Sequence, residues 1–209
     1  MSLHSHLKVF LCLLSALMVQ AKSASAQFDT TSVIQKFDNR VMIHLSEHRT
    51  PAQTKYFLFV SHMNLYGNAL VPAGLLAGGV FGHDKEMRQN ALFVASSSVI
   101  SYGAVLLIKN LFKRPRPFRS NTRIIAVYQA GGFAFPSGHA SSSVSTATAI
   151  SMAYPKWYVI APAAVWASSI TYSRMYLGLH YPSDVTTGAL FGAGTAVYFN
   201  TVRKRVENK

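Results

Sequence analysis

Residues 124–173 read IIAVYQAGGFAFPSGHASSSVSTATAISMAYPKWYVIAPAAVWASSITYS, with one charged residue, Lys156, in fifty. Ordinary soluble domains are about a quarter charged, so a soluble bundle would find no polar outer face here. Three further stretches lack Asp, Glu, Lys and Arg: Tyr56 to His83, Gln89 to Ile108, and Val185 to Val202. Lys156 divides the quoted stretch into Ile124 to Pro155 and Trp157 to Ser173, which makes five in all. A helix rises 1.5 Å per residue, so about 20 residues cross a hydrocarbon core of about 30 Å. The expected fold class is all-α: an integral-membrane helical bundle with about five spanning helices plus an N-terminal amphipathic helix.

The middle of the quoted stretch is rich in hydroxyls. Ser141, Ser142, Ser143, Ser145, Thr146, Thr148 and Ser151 alternate with alanines. Small residues let helices approach closely in a membrane, and their hydroxyls bond across helices. The third helix is therefore expected inside the bundle, shielded from lipid. Gly188, Gly192 and Gly194 point to another close contact in the last helix.

The 209 residues carry 20 Lys+Arg against 7 Asp+Glu, a formal +13, yet only 13% are charged and 50% are hydrophobic. The length suits one domain. High hydrophobicity with few charges excludes disorder. The single cysteine, Cys12, excludes a disulfide framework and a Cys-based zinc site. A basic balance suggests nucleic acid, but an apolar, charge-poor chain fits a membrane better, and no nucleic-acid partner is expected. Between Glu86 and Glu207 the only carboxylate is Asp184. That excludes paired-carboxylate acid–base chemistry and carboxylate cages for Mg²⁺ or Ca²⁺ in this half of the chain.

Residues 1–26 have signal-peptide anatomy: Lys8, the apolar run Val9 to Val19, then Ala24-Ser25-Ala26. Cleavage would remove Cys12, Lys8 and Lys22, lowering +13 by two to +11. An uncleaved anchor is the other reading. From Thr31 to Arg49, the residues Val33, Ile34, Phe37, Val41, Met42 and Leu45 recur at helical spacing, with Asp38, Arg40 and Glu47 between them. Pro51 stops the run. This amphipathic helix lies on the membrane surface or packs on the bundle, and both readings stay open. The expected organisation is a signal peptide at 1–26, the amphipathic helix and linker at 27–54, a membrane domain at 55–203 and a basic cytoplasmic tail at 204–209.

With the N-terminus outside, residues 84–88, 155–156 and the tail with Arg203, Lys204 and Arg205 fall in the cytoplasm. The loop from Lys109 to Arg123 places six cations on the outer side, against the positive-inside rule. Those charges need a task that outweighs the rule.

Three segments share that outer side. Lys109-Asn110-Leu111-Phe112-Lys113-Arg114-Pro115-Arg116-Pro117 follows the second helix. Alone, such a run is a headgroup anchor or topology signal. Gly131-Gly132-Phe133-Ala134-Phe135-Pro136-Ser137-Gly138-His139 enters the third helix, with Pro136 suited to its first turn. The free N–H groups of that turn, with Gly138 clearing space, form an anion site. In the last segment, Ser173 to Asp184, Pro182 starts a helix with Asp184 in its first turn. That brings a carboxylate onto His180, fixing its tautomer and leaving the other nitrogen nucleophilic. A structural His–Asp bond closing the turn is the alternative. Lys109, Arg116 and Arg174 together call for a multiply charged anion, and phosphate fits bidentate arginine geometry. Two histidines, one attacking phosphorus and one protonating the departing oxygen, complete a phosphoryl-transfer set without cofactor or metal.

Lys109-x6-Arg116-Pro117, Pro136-Ser137-Gly138-His139 and Ser173-Arg174-x5-His180-x3-Asp184 resemble the three-part signature of the type 2 phosphatidic acid phosphatase superfamily. That group includes membrane lipid phosphate phosphatases, soluble class A acid phosphatases and vanadium haloperoxidases. The motifs cover residues 109–184, and the helix pattern extends the likeness to 31–202. The resemblance implies a metal-independent lipid phosphatase in the cytoplasmic membrane, its site facing the periplasm or exterior. His180 would be the nucleophile forming a phosphohistidine, Asp184 its orienting partner and His139 the general acid. Lys109, Arg116, Arg174, the Ser137 hydroxyl and the Gly138 N–H would hold the phosphoryl oxygens. Lys113 and Arg114 lie outside the signature and meet a second phosphate, an anionic lipid, or neither.

Phosphatidate, phosphatidylglycerophosphate, a polyprenyl phosphate or diphosphate and a lipid A phosphate all remain open as substrates. The surplus of cations leans toward a diphosphate. The partners expected are a phosphorylated lipid and the bilayer. The rival functions are a secreted acid phosphatase acting on soluble phosphomonoesters and a noncatalytic lipid-phosphate binder or transporter. Simple binding needs only the cations, so His139, His180 and Asp184 weigh against the second rival.

Overall fold

A computed structural model describes residues 32–207. The expected signal peptide at 1–26, with Cys12, lies outside the described residues. The chain divides into two units, Met1–Phe37 and Asp38–Lys209. In the first, the Ser32 hydroxyl accepts the Gln35 N–H at 3.1 Å and starts a helix.

The described residues form an all-α bundle: α1 (Val33–Glu47), α2 (Pro51–Phe81), α3 (Lys85–Phe112), the single turn α4 (Pro117–Ser120), α5 (Gly138–Ala153), α6 (Trp157–Tyr176) and α7 (Pro182–Glu207). Each of the five charge-poor stretches overlaps one helix of 16 residues or more. Thr50 caps α2 by accepting the Gln53 N–H, and Pro51 occupies its first turn. The proline that ends α1 thus also opens α2, because its missing N–H costs nothing there. Asp84 caps α3 through the Met87 N–H at 2.9 Å.

The third stretch departs from expectation. Only its second part is helical; α5 has 16 residues, about 24 Å at helical rise. Residues 124–137 form a long loop interrupted by Gly132 at φ 68 and by Pro136 after a cis bond. Pro136 precedes α5 rather than sitting in its first turn, and Ser137 is the N-cap.

Among the described residues one stretch, Lys85–Ser120, is long and apolar enough to cross a membrane by length and composition. Asn64 and Asn68 dilute α2, and the serines and threonines dilute α5. Helix α7 runs through Arg203, Lys204 and Arg205, so the expected 203/204 boundary falls inside one helix. Arg203 lies over the Phe93 ring at 4.8 Å and donates to Asn90, which ties this end to α3.

The hydroxyl-rich face of α5 is buried, as its small residues suggest. Ser142 accepts from Asn64 at 3.3 Å, Thr146 donates to Asn68 at 2.8 Å, and Ser141 pairs with Ser101. The closest approach is to α7. A Cβ on Gly188 would stand 2.5 Å from the Ser137 carbonyl oxygen, and one on Gly192 still closer to that of Ser141. Gly194 faces open space and takes no part.

From Asp38 onward α1 packs on the bundle: Met42 meets Ile124 and Tyr181 in a small core beneath the site loops. Along the apolar stripe Met42 is buried, Val33, Ile34 and Phe37 are exposed, and Asp38 among them is fully buried.

Gly192→Val forces a side chain against the α5 backbone, and overpacking of this kind costs about 1–3 kcal/mol. The melting temperature in detergent should fall clearly for Gly192→Val and stay near wild type for Gly194→Ala. Equal melting of Gly192→Val and wild type would contradict the close α5–α7 contact.

Candidate active site

The first turn of α7 shapes the turn before it. Asp184 Oδ2 accepts the Tyr181 N–H at 2.8 Å, folding the carboxylate back over the loop that carries His180. Gly178 makes this loop possible: its φ is +80, and a Cβ would meet Ala126 and the Ile125 carbonyl at 2.9 Å. Val127 N–H donates to the Leu177 carbonyl at 3.0 Å, docking this loop on the 124–137 loop.

His180 is buried between a carboxylate and cations. Its Nδ1 stands 3.7 Å from Asp184 Oδ2, longer than a hydrogen bond. The expected pair is thus juxtaposed without a direct bond. Arg116 Nη1 lies 3.2 Å from Nε2. A guanidinium only donates, so this contact has Nε2 as acceptor and corresponds to the tautomer with its proton on Nδ1, facing Asp184; the Ala134 carbonyl also interacts with the ring. Burial chiefly, then the charges of Arg116, Lys109 and Arg174, push the His180 pKa well below the usual histidine value. The ring is therefore neutral.

Three cations surround it, each tethered by neutral oxygens. Lys109, in the last turn of α3, donates to the carbonyls of Phe133 at 2.8 Å and Ala134 at 3.3 Å. Arg116, the N-cap of α4, grips the Gly131 carbonyl with Nε and Nη2 at 3.1 and 2.7 Å and reaches that of Leu179 at 2.9 Å. Arg174, in the last turn of α6, donates to the Ser61 hydroxyl and to Tyr128 Oη at 3.0 Å. Among the described residues none of the three is ion-paired with a carboxylate. Convergent, partly buried cations with only neutral acceptors favour an anion of several charges.

The α5 N-terminus adds the remaining candidates. Ser137 is fully buried; its N–H donates to the Asp184 carbonyl at 3.0 Å and its Oγ accepts the Ala140 N–H at 3.5 Å. Gly138 lies against Tyr102, whose ring a Cβ would meet at 2.8 Å. The His139 ring lies within electrostatic range of Arg174, His180, Lys109 and Arg116. All eight residues singled out by the three motifs therefore gather at one end of the bundle. No group of three His, Cys, Asp or Glu side chains that could share a metal ion occurs among the described residues.

Arg114 is the residue whose place the motifs did not reveal. Its guanidinium is buried between Asp184 Oδ1 at 2.6 Å and Asp38 Oδ2 at 2.7 Å, and it lies over the Tyr181 ring at 4.1 Å. Of the three roles open to it, contact with a second phosphate or a lipid anion is overturned, because two carboxylates already hold its charge. Lys113 is exposed at the left-handed C-cap of α3. Asp38, Ser61 and Tyr128 belong to no motif. The one sequence signal for Asp38 is its place four residues from both Ile34 and Met42, a carboxylate set in the apolar stripe.

Residues 90–207, more than half of the chain, match the model of the PAP2 superfamily, and the chain belongs to that family. It is 36% identical over 85 residues to the lipid A 4'-phosphatase of Bacteroides thetaiotaomicron, covering 40% of this chain and 38% of that protein. It is 34% identical over 120 residues to the decaprenylphosphoryl-5-phosphoribose phosphatase of Mycolicibacterium smegmatis, covering 57% of this chain and 61% of the relative. The chain thus spans less than two thirds of either curated relative. The fold is shared with the crystal structure of a transmembrane PAP2-type phosphatidylglycerolphosphate phosphatase from Bacillus subtilis, at TM-score 0.71 and 19% identity, over 92% of this chain and 96% of that one.

With histidine-labelled protein, ring-nitrogen NMR should find His180 neutral and protonated on Nδ1 across about pH 5–8, where an ordinary histidine titrates. A midpoint near the ordinary value would contradict the burial and charge argument.

Proposed function

We propose that this PAP2-superfamily chain is an integral-membrane lipid phosphate phosphatase that works through a phosphohistidine on His180. The observation that carries this reading is the set of three cations without carboxylate partners, Lys109, Arg116 and Arg174, around a buried neutral histidine. His180 Nε2 attacks phosphorus while the bond from phosphorus to the lipid oxygen breaks. The electron pair leaves with that oxygen, which takes a proton from His139; the negative charge of the bound phosphate, absent from the free site, is what lets His139 hold that proton beside the cations. Water then attacks the phosphohistidine and gives a proton to His139. The P–N bond breaks, returning its pair to His180 and releasing inorganic phosphate. The three cations, the Ser137 hydroxyl and the Gly138 N–H hold the phosphoryl oxygens as charge builds on them. Asp184 faces the proton on Nδ1 and stabilises the positive charge that forms on the ring. No metal enters the scheme.

The same reading places five helices, α2, α3, α5, α6 and α7, across the bilayer, with the site at its outer face. Large apolar side chains on four of these helices support it, for they point outward: Leu65 and Leu107 are 72% exposed, Leu190 70% and Val165 67%. Soluble proteins rarely expose so continuous an apolar surface. Cleavage after Ala26 would leave the N-terminus on the site's side, and the membrane domain then runs from 55 to 203 with the basic tail in the cytoplasm.

The names of the two curated relatives describe phosphates carried on lipids. The substrate inferred here is likewise a lipid phosphate. With Arg114 held by carboxylates, the surplus of cations that leaned toward a diphosphate shrinks, and a monophosphate is the better fit.

Replacing His180 with alanine in detergent-purified protein should cut phosphate release by about 10⁴-fold while lipid-phosphate binding persists. Undiminished turnover would overturn the mechanism. EDTA should leave wild-type activity largely intact, and a strict metal requirement would count against the scheme. The protein should resist extraction by high salt; release without detergent would contradict the five spans.

A further inference from the structure

We propose that Asp38, which lies outside the PAP2-matched region, is a positioning residue that acts through Arg114 on Asp184, the carboxylate facing His180. The proposal rests on the phosphatase reading above.

A carboxylate buried in an apolar stripe is costly unless paired. Asp38 is paired in a way that reaches the site. One guanidinium spans two carboxylates: Arg114 Nη2 meets Asp38 Oδ2 at 2.7 Å, and Nη1 meets Asp184 Oδ1 at 2.6 Å. The arginine side chain is 4% exposed and both aspartates are fully buried. The guanidinium is a rigid planar fork, so fixing one arm aims the other. Asp184 is then held at both oxygens, Oδ1 by Arg114 and Oδ2 by the Tyr181 N–H, with Oδ2 the oxygen nearest His180 Nδ1. Asp38 also clamps the first turn of α7. Its Oδ1 accepts the Ser183 N–H at 3.0 Å, the Ser183 hydroxyl donates to its Oδ2, and Arg114 Nη1 donates to that hydroxyl at 2.7 Å.

Charge gives Asp38 a second effect. Two aspartates and one arginine leave the triad at −1, whereas Arg114 and Asp184 alone would be neutral. The groups facing His180 are Lys109 on α3, Arg116 at the start of α4, His139 on α5, Arg174 on α6 and Asp184 on α7. Three are cations, and the triad is the anionic counterweight. When Nε2 bonds to phosphorus the ring becomes positive, and the net −1 behind Nδ1 stabilises it. Neutralising Asp38 removes that charge without touching a phosphate-binding group.

The test uses the full chain in detergent, as wild type, Asp38→Asn and Asp38→Glu. It reads kcat and kcat/KM against pH on a lipid phosphate, inhibition by inorganic phosphate, melting temperature, and His180 ring-nitrogen shifts. Loss of an orienting partner of this kind costs about 10–100-fold, so kcat of Asp38→Asn should fall by at least 10-fold. Inhibition by inorganic phosphate should stay within about twofold, because that pocket is intact. The acid limb of kcat/KM should move to lower pH, since a lost negative charge makes His180 harder to protonate. Asp38→Glu, which keeps the charge, should recover part of the loss.

A merely structural Asp38 predicts activity falling in step with the folded fraction, with no movement of the acid limb or of the His180 shifts, and that result overturns the proposal. Unchanged kcat in Asp38→Asn overturns it as well. If wild type releases no phosphate from any lipid phosphate, the phosphatase reading fails separately; displaced His180 shifts in Asp38→Asn then still support the coupling, and unchanged shifts refute it.

Discussion

One guanidinium shared by two buried carboxylates, Asp38–Arg114–Asp184, is the constraint on which the site's geometry depends. It joins three parts of the chain that are distant in sequence: α1, the segment after α3 and the first turn of α7. A buried ion pair adds little net stability, because desolvation offsets most of the attraction. Its weight is in what it prevents, for removing Arg114 would leave two uncompensated carboxylates in an apolar surround. Around this triad the chain separates its charges. Both nearby carboxylates are committed to Arg114, while Lys109, Arg116 and Arg174 are held by carbonyls and hydroxyls that do not cancel their charge. Burial first, and then these uncancelled cations, keep His180 neutral between them.

Helix packing transmits this arrangement. Gly188 and Gly192 bring α7 against the α5 backbone, and at the end of that contact the Ser137 N–H bonds to the Asp184 carbonyl. The turn carrying Asp184 and the turn carrying Ser137, Gly138 and His139 are therefore one rigid corner. Small residues on both helices are what permit it. Further along α5, Ser142 and Thr146 bond to Asn64 and Asn68 and hold α2. Helix α2 in turn supplies Ser61 to Arg174. The polar interior of the bundle and the site form one connected framework.

The helices were legible because long gaps in charge are a strong and local signal. The stretches Gln89 to Ile108 and Trp157 to Ser173 lie within α3 and α6 almost end to end. The convergence of the three motifs was legible for a topological reason: the motifs sit where α3 ends, α5 begins, α6 ends and α7 begins, so each crossing and return brings the chain back to the same end of the bundle. Less could be read where structure depends on distant contacts. The loop at 124–137 is as charge-free as a spanning helix, and only its glycines and Pro136 distinguish it. The apolar stripe of α1 gives no sign that its one interrupting carboxylate is buried while Ile34 and Phe37 are exposed. Asp38 is buried because Arg114, 76 residues away in sequence, compensates it. No periodicity reports such a partner. The spacing of His180 and Asp184 points to a direct bond, yet the Asp184 oxygens bond to Arg114 and the Tyr181 N–H and only face the ring.

In the proposed reaction a neutral, carboxylate-backed His180 attacks phosphorus. Rapid mixing of detergent-purified protein with a ³²P-labelled lipid phosphate, followed by an alkaline quench, tests it most directly, because phosphohistidine survives alkali. The expected result is transient label on the peptide carrying His180, formed and lost fast enough to support turnover. Label on the peptide carrying His139, or turnover with no labelled protein at any time, would contradict it.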